Sequence, residues 1–208
     1  MSTLLDNFPI CGTIDTTIRH EIKLFHVFND RSDGNNILFV TNDDTVYGLG
    51  ANGRGCLGFG HDMEVKTPLI IPELCGQRIQ QFFNGCNFVL AMNEDNHVFS
   101  WGDNQWGQCA RDVTPEGVYL KPQLISQLND KNIAYICCGF WHSLALTTDG
   151  KAYGWGANTE GQIGCGYSEN DIMCSPVLIK FENNYKMKDI FCGYDRSFTI
   201  TLNGLVFS

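Results

Sequence analysis

Three features of this 208-residue sequence use residue types and spacings that could do chemistry. In VYGLGANGRGCLGFG, residues 46–60, Gly48, Gly50 and Gly53 spell G-x-G-x-x-G, the form of a loop that cradles a dinucleotide pyrophosphate. Ten cysteines are enough for a disulfide framework or a metal cluster. His142, in CCGFWHSLAL, carries an imidazole of the kind that serves as base, proton shuttle or ligand.

The surrounding sequence weakens the first two readings. A pyrophosphate loop needs a helix directly behind it, with its N-terminus aimed at the phosphate. Here the chain instead runs through Cys56-Leu57-Gly58-Phe59-Gly60 toward a proline-led strand. No C-x-x-C pair occurs, and adjacent cysteines in a strand point to opposite faces, so Cys137 and Cys138 do not jointly grip one metal. The first residues, MSTLLDNFPICGTIDTTIRHEIK, lack a basic segment followed by an apolar run, so the thiols are expected to stay reduced and act as small buried hydrophobes. The expectation is no cofactor and no metal.

Composition narrows the class further. With 43% apolar and 18% charged residues the chain can bury a core, and no stretch approaches the ~18 apolar residues of a membrane helix. Net charge is −9 and the Lys and Arg residues stand singly, which argues against direct nucleic-acid binding. Cytoplasmic or nuclear residence is expected, with no membrane contact.

The elements that position these residues repeat. VYGLGANGRGCLG is followed by VFSWGDNQWGQCA and AYGWGANTEGQIG, so Gly50, Gly102 and Gly156 stand 52 and then 54 residues apart. Pro68, Pro122 and Pro176 keep steps of 54, as do Gly85, Gly139 and Gly193, and Trp101 and Trp155 share one slot. A period near fifty marks propeller blades or a related array. In one repeat PQLIS, NIAYICCG, HSLALTT and KAYGWG read as four short strands between turn signals, hence one blade. Asp43-Asp44, Asp95-Asn96, Asp149-Gly150 and Asn203-Gly204 fill one hairpin slot and suit a type I′ turn. The glycines therefore serve tight turns and close chain approach. The fold class expected is all-β, built of β-propeller blades of four antiparallel strands.

The strings GDNQWGQCA, GANTEGQIG and CGFWHSLAL resemble the regulator of chromosome condensation (RCC) repeat over residues 37–208, which implies a seven-bladed β-propeller. Within that family the chain resembles proteins that join the propeller to a C-terminal BTB domain, through Phe8-Pro9-Ile10, GRGCLGFG and Leu74-Cys75-Gly76. Residues 1–36 are expected to form an N-terminal segment with a short helix, since Ile14, Ile18 and Ile22 make one stripe over 14–24. Residues 37–208 would form an incomplete propeller, one leading hairpin and about three blades, too short to close a ring. Its last blade would leave an exposed face.

The histidine slot reads Phe88, His142 and Arg196, so His142 is expected to bond backbone or pack between blades, as a structural position like the recurrent glycines and tryptophans. Ala110 replaces the glycine of Gly58 and Gly164, which puts that turn's geometry in question. With no nucleophile beside a base, the expected role is an interaction scaffold and not an enzyme. Its client surface is expected on the connections 59–67, 111–121 and 165–175 and the tip at Trp106, drawing on Arg54, His61, Asp62, Trp106, Arg111 and Tyr167. The slot of Trp106 holds Arg54 and Glu160 in its siblings, so it is read as solvent-facing, with the indole either exposed or folded back on Tyr119 or Val113. By resemblance, the partners are a protein client and, through a missing BTB domain, a cullin-type ubiquitin ligase. The alternatives implied are a guanine nucleotide exchange factor for a Ran-like GTPase, or the propeller of a large HECT ligase.

Overall fold

The computed structural model describes residues 9–29, 35–166 and 171–208. A 3-10 turn, Pro9–Thr13, leads into α1 (Thr16–Glu21), whose N-terminus is capped by Asp15 accepting from Thr17 N at 2.8 Å. The first sheet holds β1 (Ile22–Asn29), β2 (Asn35–Thr41), β3 (Val46–Gly50) and β4 (Val65–Ile70). The second holds β5 (Ile79–Asn84), β6 (Phe88–Asn93), β7 (Val98–Asp103) and β8 (Val118–Leu124). The third holds β9 (Ile133–Cys138), β10 (His142–Thr147), β11 (Ala152–Ala157) and β12 (Ile172–Leu178). A three-stranded sheet of β13 (Met187–Cys192), β14 (Ser197–Thr201) and β15 (Val206–Phe207) follows. Each sheet is an antiparallel meander in chain order, and the leading strands β1, β5, β9 and β13 lie side by side.

Four expectations need correction. The stripe of Ile14, Ile18 and Ile22 is not one helix over 14–24. Ile14 follows the 3-10 turn, Ile18 sits in the six-residue α1, and Ile22 opens β1. IKLFHVFN is rich in β-branched and aromatic residues, and its pairing with β2, from Leu24↔Val40 to Asn29↔Asn35, overrides the helical spacing. A boundary at 36/37 would cut β2 from β1, and the leading unit is a whole four-stranded sheet rather than a hairpin. The proline-led strand β8, which opens a sequence repeat, closes the second sheet by pairing with β7, through Phe99↔Leu124 and Gly102↔Tyr119, so sheets run one strand out of phase with sequence repeats. Finally, the hairpin turns are three-residue loops. Asp44 (φ 65) and Asn96 (φ 60) are left-handed, while Asp43 and Asp95 are not, which is a type I turn followed by a bulge in place of type I′. Thr41 and Thr147 fix it by donating their hydroxyls to Asp43 and Asp149.

The core is layered between sheets. On β6, Val89 and Ala91 pack back toward the first sheet, while Phe88, Leu90 and Met92 pack forward toward the third. On β10, Ala145 packs back and Leu144 and Leu146 forward. Small side chains on one face and large ones on the other let each sheet nest against its neighbour.

A tryptophan stitches the first two layers. Trp101 on β7 is fully buried and donates its indole N–H to Cys56 O in the loop of the first sheet, at 2.7 Å. Trp155 on β11 repeats this to Gln108 O of the second sheet, at 2.9 Å. One residue on, Gly102 and Gly156 adopt φ of 99° and 103°, and a Cβ there would overlap Asn87 O or Trp141 O of the neighbouring strand corner. Ala110 takes φ 57°, in the same left-handed region as Gly58 and Gly164, so the turn is kept with alanine in it.

Gly102→Ala is expected to cost about 2 to 4 kcal/mol in urea denaturation, from the positive φ and the backbone overlap together. Gly76→Ala, at φ 71° with nothing nearby, should cost only about 1 kcal/mol. Trp101→Phe should cost about 2 to 4 kcal/mol by losing the N–H and leaving a cavity, and Trp106→Phe under about 1 kcal/mol.

Candidate functional site

Antiparallel order puts the first-to-second and third-to-fourth strand connections of every sheet on one face. Described residues 51–64, 104–117 and 158–166 form the long loops there, and 85–87, 139–141 and 193–196 the short corners. The long loops are organised by a buried asparagine. Asn52, Asn104 and Asn158 accept from Leu57 N (2.9 Å), Cys109 N (2.8 Å) and Ile163 N (3.1 Å). Asn52 Nδ2 also donates to His61 O and Met63 O, and Asn104 Nδ2 to Arg111 O and Asp112 O. One amide thus spans the loop from both sides, which satisfies backbone groups that no strand reaches. Cys109 beneath is wholly buried, and burial pushes its thiol up to about 12, so it serves as core.

The residues expected at a client surface divide. Arg54 is not free at a tip. It is half-buried, pairs with Asp103 Oδ1 at 2.9 Å and donates to Gly117 O at 3.2 Å, bridging the first and second sheets. The inference that its slot must face solvent therefore fails, because a long side chain can turn back along the loop. His61 is half-buried, stacked on Phe59 at 5.9 Å, and accepts from Met63 N. Arg111 is held by Gln123 (2.6 Å) and by Ser100 O and Oγ, with its guanidinium 3.9 Å from the Tyr119 ring centre. Burial lowers its hold on the proton. Asp62 is exposed, and Tyr167 lies outside the described residues, as does Phe8.

Trp106 is half-buried, and the ring it meets is that of Trp141. Its ring centre lies 5.8 Å from that of Trp141, in the corner of the third sheet. Trp141 meets Phe140 edge-on at 4.7 Å, and Phe140 lies 4.1 Å from Tyr194 in the corner of the fourth sheet. Four rings from three sheets thus make one continuous cluster, and Tyr194 is 59% exposed. The corner aromatics were missed because each follows a recurrent glycine at positions that vary, as Cys86-Asn87, Phe140-Trp141 and Tyr194-Asp195. That variation beside a constant glycine is the signal that could have found them. Around the cluster the loops of this face carry exposed carboxylates at Asp62, Glu64, Asp112, Glu116, Glu160 and Asp171. Arg54 and Arg111 on the same face are engaged internally, while Arg196, in the corner beside Tyr194, is exposed.

The structural repeat positions sit at the corners below. Phe88 and His142 are fully buried, each over the glycine three residues earlier, and a Cβ on Gly85 or Gly139 would strike that ring and the next strand's corner. Gly193, followed by Arg196, has no such crowding.

The family model described as Regulator of chromosome condensation (RCC1) repeat matches residues 43–92, 95–146 and 149–200. The Arabidopsis thaliana protein described as ultraviolet-B receptor UVR8 is 30% identical over 169 residues, 81% of this chain and 38% of its own length. The Homo sapiens E3 ubiquitin-protein ligase HERC2 is 27% identical over 209 residues, 95% of this chain and 4% of its own. Among solved structures, yeast RCC1 (Prp20) bound to Kap60 aligns with a TM-score of 0.67 at 24% identity, over 82% of this chain and 40% of that one. The chain spans less than half the length of each of these three proteins. It belongs to the RCC1 repeat family, and its sheets are blades of an RCC1-type propeller that do not close into a ring.

Proposed function

We propose that this chain is a client-binding scaffold, and that the face centred on Trp106, Phe140, Trp141 and Tyr194 receives a basic segment of a protein client. The observation that carries this reading is one aromatic cluster, assembled from three sheets, on a face whose loops carry exposed carboxylates. Aromatic faces attract Arg and Lys side chains by about 0.5 to 2 kcal/mol each, and the carboxylates steer a basic partner and suppress acidic ones. A net charge of −9 points the same way. On the opposite face several carboxylates are paired, Asp44 with Lys23, Glu94 and Asp95 with Arg78, and Asp149 with Lys151, whereas on the cluster's face Glu64 is paired with Lys66.

In the longer protein, the reading we favour is a BTB-containing adaptor that brings the client to a cullin-type ubiquitin ligase. It rests on the resemblance of GRGCLGFG and Leu74-Cys75-Gly76 to such proteins. A HECT ligase is the second reading, favoured by the likeness to HERC2. Co-purification of a cullin with the full-length protein distinguishes them, since a HECT ligase carries its own catalytic cysteine.

Tryptophan fluorescence titration with an Arg/Lys-rich peptide, against the same peptide with Glu at those positions, tests the face. Binding of the basic peptide is expected to quench emission, to weaken at least ten-fold in Trp141→Ala, and to weaken with salt. Glu160→Lys should also reduce it. Equal binding of both peptides, or an unchanged affinity in Trp141→Ala, rejects this face.

A further inference from the structure

The leading strands of consecutive sheets meet at a fixed stagger. His26, opposite Leu38 in the first sheet, reaches Asn84, opposite Val89 in the second, with His26 Nε2 3.1 Å from Asn84 Oδ1. In the third and fourth sheets those two positions belong to Cys137, opposite Leu144, and Cys192, opposite Ser197. The two thiols neighbour each other across this interface, and both pack on the core between these sheets. All the cysteines of the chain are free.

The surroundings make the pair asymmetric. His142 is fully buried with Nε2 2.8 Å from Ser197 Oγ, and both lie beside Cys192. Burial alone would raise the Cys192 thiol, but its polar neighbours Cys137, His142 and Ser197 outweigh burial and lower it. Cys137 is pushed up by the same contact and by burial. Cys192 is therefore the sulfur of the pair that gives up its proton more readily. Cys192 also lines a cleft of about 330 Å³ between the strand corners, with Asn84, Cys86, Cys138 and Tyr194, which gives a small oxidant a route.

We propose that Cys137 and Cys192 form a peroxide-reactive dithiol that closes to a disulfide between the third and fourth sheets. The Cys192 thiolate attacks one oxygen of hydrogen peroxide, the O–O bond breaks, and hydroxide leaves, becoming water with a proton from the medium. Cys192 is now a sulfenic acid. Cys137 Sγ attacks Cys192 Sγ, the S–O bond breaks, and the departing hydroxide takes the Cys137 proton. Overall, two thiols are oxidised to a disulfide and one peroxide is reduced to two waters. The bond would staple two neighbouring leading strands beside the central cleft.

The test treats the full-length protein with one equivalent of hydrogen peroxide, blocks remaining thiols with iodoacetamide, and maps cross-linked peptides without reduction. A Cys137–Cys192 link is expected before any other. Its rate should change little between pH 6.5 and 8, whereas an ordinary thiol with a pKa of about 8.5 would speed up roughly twenty-fold. In Cys137→Ser the reaction should stop at the sulfenic acid, trapped by dimedone on Cys192. The proposal is overturned by a missing link, by another pair closing as fast, by the full rise with pH, or by no dimedone adduct at Cys192.

Discussion

The second and third sheets are each tied to the sheet before where the repeat's tryptophan stands, and much of the structure follows from that tie. The indole N–H of Trp101 reaches Cys56 O, and that of Trp155 reaches Gln108 O. An indole is large enough to fill the wedge between two sheets and carries one polar atom that must find a partner when buried. The partner is always the long loop of the sheet before, so the loop must be held in one conformation. That is why a buried asparagine crosses each loop from within, and why the residue after each tryptophan is a glycine that lets the strand corner approach.

With the loops fixed from below, their outer side is left free to vary, and the candidate site occupies that side. Trp106, Trp141 and Tyr194 come from three different sheets, and no stretch of sequence places them together. The stagger of the leading strands does the same lower down, where it brings Cys137 of one sheet against Cys192 of the next and His142 against Ser197. The same inter-sheet contact holds a polar His–Asn pair in one interface and a dithiol in another, so the fold tolerates different chemistry at one geometric position.

Some residues changed meaning between sequence and structure for identifiable reasons. Arg54 and Glu160 look like proof of a solvent-facing slot because they carry opposite charge, yet Arg54 reaches back to Asp103 across a sheet boundary. Trp106 could be placed at a loop tip from sequence, but not opposite Trp141, because that distance is set by the rotation from one sheet to the next. The asparagine of G-x-N-x-x-G was visible as a repeated letter, while its two-sided bonding depends on where the loop returns.

The sequence by itself determined the period, the four-strand unit, the alternation of small and large side chains on β6 and β10, and the glycines that permit close corners, since all of these are local and recur in phase. It also established the acidic balance, a net charge of −9. Tertiary structure alone decided that β1 pairs with β2, that the proline-led strand closes the preceding sheet, and which corners of different sheets meet. A repeating sequence is unchanged by a shift of one strand, so it cannot tell where a sheet begins. That phase is set by hydrogen bonding at the outer strand and by packing between neighbours, both long-range interactions.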